Sequence, residues 1–225
     1  MGVANAMGKK LPKAVDAVAD IGDNASDSTE KLSEFLSRVF GTFPEDASGF
    51  LGGDWLRHVR IRNLRKLARR TDEIIRERKF EYATEAVSPS VAMPLLRAAQ
   101  NESREELQEL WARFLANGMD PKRSKSVRVS IIKTVEQFDP LDALLLQFLH
   151  TLFPLVDRDQ WPTAIPRWMQ KNGLSASEYE ATVHHLLRLD CIRVVDQSYL
   201  SEQKQKISMP ALQPWGIAVL RACEP

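Results

Sequence analysis

Apolar residues recur at helical spacing along most of this chain. In EELQELWARFLANGMDP (105–121), Leu107, Leu110, Trp111, Phe114 and Leu115 recur at steps of three and one, which gathers them on one side of a helix. Asn101 is the expected start, with Glu102, Glu105 and Glu106 near the positive N-terminal end. Gly118 is the expected left-handed stop, and Pro121 bars continuation. The acids at one end, the stop at the other and apolar helices around it make this stripe core packing rather than a docking face.

The same reading extends to the rest of the chain. DSTEKLSEFLSRVF places Leu32, Phe35, Leu36, Val39 and Phe40 on one helical face, with Asp27 and Glu30 as a capping pair. From Asp54 a helix runs to about Lys79. Leu56, Val59, Leu64, Leu67, Ile74 and Ile75 share one side of it; Arg62, Arg65, Lys66 and Arg69 share the other. Arg57 and Arg60 fall within the apolar arc, where they either snorkel or pair with a buried carboxylate. Ser88 or Ser90 caps a short helix with Pro89 in its first turn, and Pro94 predicts a break or kink. Val127, Ile131, Val135 and Phe138 form another stripe. Asp139-Pro140 starts the strongly apolar helix DPLDALLLQFLHTLFPL.

Pro154, Pro162 and Pro166 punctuate a looser region holding Trp161 and Trp168. Ser175 and Glu178 have capping-box spacing, and Val183, Leu186 and Leu187 carry the apolar face of the helix that follows. Strand composition appears at Cys191–Val195 and again at KISM (206–209), and a short helix closes the chain. Near the N-terminus, Ala14, Val15, Val18 and Ile21 suit a short amphipathic helix. Phe43, Phe50 and Leu51, in the loop-like 41–53 stretch, are expected to dock on the body of the protein.

The expected fold is mainly α: a helical N-terminal region followed by a winged-helix-like C-terminal half with a short β-hairpin. An all-helical C-terminal half with a surface hairpin is the alternative. The expected divisions are 1–53 (helical arm and loop), 54–138 (helical domain) and 139–225 (winged-helix-like domain).

Composition narrows the class. The chain has 225 residues, 44% of them hydrophobic and 27% charged, as an ordinary globular protein does. A formal net charge of +1 excludes a globally basic nucleic-acid binder but not a local patch. Two cysteines, Cys191 and Cys223, suit a reducing cytoplasm, with one bridge as the alternative. No apolar run reaches ~18 residues, so no spanning helix is expected. No signal core precedes a cleavage site, and position 6 is Ala rather than the Ser or Thr of a myristoylation motif. The expected location is the cytoplasm.

Chemical signatures are scarce. His184 and His185 are neighbours and point ~100° apart on a helix, so they do not share a metal easily. HExxH, paired CxxC, GxGxxG, GxxxxGK[ST] and GxSxG motifs are all missing. Glu105 and Glu106 read as solvated helix-start charges. Cys191 reads as core. No catalytic, metal or cofactor residues are expected.

The most distinctive surface signal is WLRHVRIRNLRKLARR, with seven Lys or Arg and no acid. Arg62, Arg65, Lys66, Arg69 and Arg70 are candidates for polyanion contact, with nucleic acid or an anionic membrane. The competing account is a solvated face whose arginines pair with the acidic 101–109 segment. In a winged helix, the recognition helix would fall at 177–189. Glu178, Glu180 and Asp190 there would repel phosphates, which favours a protein contact over DNA reading.

Several separated stretches resemble the abortive-infection alpha family of bacterial proteins: DWLRHVRIRNLRKLARR, SPSVAMPLLRAAQNESREELQELWARFLANGMDP, DPLDALLLQFL, HHLLRLDCIRVV and LQPWGIAVLRACEP. The resemblance spans roughly 50–225, and LWARFLANGMDP is its most specific block. LRLDCI departs from the commoner Leu-Gly-Leu-Ile form at Asp190 and Cys191. The resemblance implies defence against bacteriophage, in which an infected cell stops growing or dies before phage are released; it supplies no reaction and no catalytic residue. The expected partner is a host or phage protein; a second copy, a nucleic acid and a membrane surface are the alternatives.

Overall fold

Helix α4 (Glu105–Gly118) lies at the centre of the fold, packed by α2 (Asp54–Glu77), α3 (Pro89–Asn101), α6 (Pro140–Leu152) and α9 (Pro214–Ala222). The computed structural model describes residues 25–41, 54–78, 83–152, 160–199 and 206–224. Among these the remaining elements are α1 (Ala25–Phe40), a 3₁₀ turn (Ser124–Ser126), α5 (Val129–Val135), α7 (Trp161–Lys171), α8 (Ala176–Arg188), and strands β1 (Ile192–Tyr199) and β2 (Lys206–Leu212). The chain is mainly helical with one antiparallel hairpin near its C-terminus. After Asp139 the order is three helices, strand, strand, helix. The readings of Ala14–Ile21, of Phe43, Phe50 and Leu51, and of Pro154 lie outside the described residues. Among the described residues, no helix is long and apolar enough to cross a membrane.

The five large apolar residues of α4 are all buried, and Ala112 and Ala116 between them let neighbouring helices approach closely. Each large side chain contributes roughly 1.5–3 kcal/mol on burial. Trp111 and Phe114 meet in a tilted pair with ring centroids 5.7 Å apart. The apolar cluster continues from Phe35 of α1 to Cys223. In α2, Leu64, Leu67 and Ile74 join it as expected, while Leu56 is exposed. Val127, Ile131, Val135 and Phe138 are all buried.

Several boundaries differ from the sequence reading. Asn101 ends α3 rather than starting α4, and its side-chain amide donates to the Arg97 carbonyl (2.9 Å). The corner is made by Glu102, whose carboxylate accepts from the Ser103 and Arg104 N–H groups at 2.9 and 2.8 Å. Gly118 is the last helical residue, and it does not take a left-handed conformation; among the described residues the positive-φ positions are Gly41, Gly173 and Asp190. Gly118 is small for another reason, since a Cβ there would lie 3.3 Å from Val87 Cγ2. The turn after α4 is made by buried Asp120, whose carboxylate accepts from Lys122 N–H (2.9 Å) and whose carbonyl accepts from Ser124 N–H (2.8 Å).

Pro94 and Pro166 do not end their helices. Pro94 is the sixth residue of α3 and Pro166 the sixth of α7, and both helices run through them. At that position a proline removes a single hydrogen bond, to the carbonyl four residues earlier. Those carbonyls belong to Ser90 and Pro162, both exposed residues, where water can serve them. From Trp161 to Lys171 the region expected to be loose is a helix, held on α6 by Trp168 stacked on Phe148 at 5.0 Å.

The predicted capping box of α8 is present in both halves: Ser175 Oγ accepts from Glu178 N–H, and Glu178 Oε2 accepts from Ser175 N–H. The hairpin runs further than its composition indicated, pairing Ile192 with Leu212 and Tyr199 with Lys206. Its register shifts between Val194 and Asp196, beside Pro210, which has no N–H to offer the ladder. Between α8 and β1, Asp190 takes φ 58°, the left-handed region that favours glycine. Asp190 is also where LRLDCI departs from the Leu-Gly-Leu-Ile form that the stretch resembles. Its carboxylate accepts from Gln213 Nε2 at 3.0 Å, while Gln213 N–H donates to the Cys191 carbonyl at 2.9 Å. Gly216 lies against the same carbonyl, where a Cβ would meet the oxygen at 2.1 Å.

Two substitutions test this turn. Gly216→Ala should destabilise by about 3 kcal/mol or more, because the obstacle is backbone and cannot rotate away. Asp190→Gly should equal or exceed the parent, since relief of about 1 kcal/mol of left-handed strain offsets one partly solvated hydrogen bond. Urea midpoints measure both; a tolerant Gly216→Ala, or a clearly weakened Asp190→Gly, contradicts this account.

Candidate functional site

Two clusters of polar groups stand out, and the first is the basic side of α2. Helical spacing places Arg62, Lys66 and Arg69 on the side opposite Leu64 and Leu67, and all three are exposed. Arg62 and Lys66 make no ion pair or hydrogen bond among the described residues. Arg69 approaches Glu73 only at 3.7 Å and keeps 76% side-chain exposure. Arg65 is half-buried.

Arg70 differs from Arg62, Lys66 and Arg69. Its Nε and NH2 donate to Glu109 of α4 at 2.6 and 3.0 Å, and NH1 reaches Glu73 at 3.2 Å and Glu77 at 3.4 Å. The hydrogen bond from Glu109, working against burial, raises the Arg70 pKa above its ordinary value. Burial pushes Glu109 upward, but the guanidiniums of Arg70 and Arg113 outweigh it and hold the carboxyl below its ordinary value. Arg70 therefore does what the structural account expected of arginines beside the acidic 101–109 segment. Arg60 also reaches that segment, through an amide rather than a carboxylate: its Nε donates to Asn101 Oδ1 at 2.9 Å.

The second cluster joins three parts of the fold. Asp142, the third residue of α6, is buried and accepts from Asp139 N–H at 2.7 Å, closing the start of that helix. The same oxygen lies 2.7 Å from Nδ1 of His185 on α8, 43 residues away. Asp139 stands at the cap position before Pro140, as expected, and its carboxylate goes to Arg104 at 2.8 Å; Arg104 also holds Glu102. Burial pushes the Asp142 carboxyl above its ordinary value, against the lowering pull of the Asp139 N–H and His185. Asp139, Asp142 and His185 offer three ligand-type atoms within 4.8 Å of one another. The donors do not fit a cation well: one Asp142 oxygen already serves two partners, and Asp139 is held by a guanidinium. The cluster is a hydrogen-bonded joint between the α3–α4 corner, α6 and α8. Sequence reading missed it because only the fold brings positions 104, 142 and 185 together; the Asp-x-x-Asp spacing was the one local hint.

The other candidates are engaged in structure. Cys191 and Cys223 are free and buried, and burial pushes both thiols up to about 12, so neither is a ready nucleophile. His184 is exposed beside half-buried His185. The carboxylates around α8 are hydrogen-bonded: Glu178 in the expected capping box, Glu180 to Ser208 of β2 and Asp190 to Gln213. A cleft of about 320 Å³ beside the start of α3, lined by Glu85, Val87, Ser88, Gly118, Ser124 and Lys125, mixes opposite charges and gathers no reactive set.

Residues 58–213, more than half of the chain, match the family model described as abortive infection alpha. No curated protein and no solved structure matches the chain.

The Arg70–Glu109–Arg113 group predicts a pH signature. A carboxylate whose folded pKa is depressed contributes stability above its ordinary value, 4.5, and loses it as pH falls through the folded value. Glu109→Gln should cost about 1–2 kcal/mol at pH 7, and its gap from the parent should close below pH 4.5. Denaturation at pH 7, 5 and 3 measures the gap; a constant gap refutes the assignment.

Proposed function

The chain belongs to the abortive infection alpha family, and we propose that it defends a bacterial cell against phage through protein contacts. The family match carries this reading, since it runs from the first turns of α2 to the end of the hairpin. In this account, contact with a host or phage protein in the cytoplasm leads to growth arrest or death before phage release. Two features support contact over chemistry. The most closely gathered polar groups, at Asp142 and His185, are occupied in holding elements together. Leu187 of α8 and Val194 of β1 are large apolar residues left 39% and 38% exposed on consecutive elements of the C-terminal half. Apolar side chains of this kind anchor protein interfaces.

Phage challenge of cells expressing the chain should lower plating efficiency and arrest growth after infection. Leu187→Glu with Val194→Glu should abolish protection while leaving stability within about 0.5 kcal/mol per site, as expected for exposed positions. Unchanged plating by the parent refutes the defence reading. Full protection by the double variant refutes a contact through these two residues.

A further inference from the structure

We propose that the outward ridge of α2 binds the phosphate backbone of a nucleic acid, with Arg62, Lys66 and Arg69 as the contacting groups. This goes beyond the defence reading and rests on a different element from Leu187 and Val194.

The argument begins with charge. The whole chain carries a formal charge of +1, yet α2 alone holds eight Lys or Arg against four Asp or Glu. Three of those acids lie in its C-terminal third and already have partners: Asp72 binds Arg38, and Glu73 and Glu77 reach Arg70. From Trp55 to Arg70 there is no acid at all. Arg62, Lys66 and Arg69 follow one another at steps of four and three, so they form a single ridge about 10 Å long. Like charges at this spacing repel one another and destabilise a helix. No acid among the described residues neutralises Arg62 or Lys66, and Glu73 touches Arg69 only at 3.7 Å. A row of external anions removes that repulsion.

Phosphates suit the ridge better than a membrane or an acidic protein does. A helix that lies on a membrane inserts its apolar face, whereas the apolar face of α2 is locked in the core through Leu64, Leu67 and Ile74. Protein interfaces centre on buried apolar or aromatic anchors. Between His58 and Arg69 the outward side presents no apolar anchor; the exposed Leu56 lies a full turn before Arg60. A phosphate backbone needs only cations at intervals.

The test is fluorescence anisotropy of the full chain with a labelled random 20-mer, single- and double-stranded, at 50 and 200 mM salt. Three phosphate contacts predict a ~40-fold loss of duplex affinity across that range, and ~20-fold for a single strand. Arg62→Gln with Lys66→Gln should lower the logarithmic salt slope by about 1.8 for duplex. Arg62→Glu with Lys66→Glu should weaken binding more than tenfold. Lys171→Glu with Arg221→Glu, the same charge change at exposed sites on α7 and α9, should leave it within twofold. All four positions are exposed, and unchanged melting confirms that each variant folds. Absence of binding at 50 mM salt overturns the proposal. So does equal weakening by the two charge-reversal pairs, or binding to phosphatidylserine vesicles with none to nucleic acid.

Discussion

The burial of α4 on almost every side is the constraint around which the other elements are arranged. A helix so enclosed must find partners for its polar side chains within the protein, and two of them become ties. Gln108 donates to the Ala99 carbonyl and to that of Glu102, fixing the end of α3. Asn117 donates to the Ala222 and Glu224 carbonyls, fixing the end of α9 across 105 residues of sequence. The same helix thus receives one neighbour from before it in the chain and one from the far end. Trp215 Nε1 donates to Thr134 Oγ1, which extends the second tie to α5.

The magnitudes separate what stabilises this arrangement from what positions it. Five large side chains of α4, each contributing about 1.5–3 kcal/mol, dominate any ion pair at its rim. The Arg70–Glu109–Arg113 group is only partly buried, and screened pairs of that kind contribute about 1 kcal/mol or less apiece. Its geometric effect is larger than its energy: Glu109 bridges α2 to α4 with directional bonds, which a slippery apolar interface lacks. The joint at Asp142 works in the same way, linking α6 to α8 at one oxygen.

Local signals made much of the fold legible. Periodicity located α2, α4 and α6, the capping box located α8, and composition located the hairpin. The failures share a cause, because each treated a residue by its intrinsic habit where a tertiary neighbour decided. Gly118 was read as a left-handed stop, yet its smallness serves Val87. Asn101 was read as a helix start, yet the Glu102 carboxylate makes the corner one residue later. Pro162 and Pro166 suggest a looser region by their habit, although a helix tolerates both in its first two turns. Conversely, Asp190 carried information that sequence alone left uninterpreted: the departure from glycine falls on a residue with φ 58°.

The candidate sites were legible in proportion to how local they are. The basic run was visible at once, because its charges belong to one helix; which of them are already neutralised was not, because Glu109 lies 39 residues from Arg70. Composition counts Arg70 and Lys66 alike, but only Lys66 still has its charge to offer. The acids around α8 are a different case. Glu178, Glu180 and Asp190 accept from neutral donors within the protein, which fixes their orientation and leaves their negative charge in place. In a chain whose formal charges nearly cancel, net charge says little about binding. What a surface can recruit is set by the charges that folding has left without a partner.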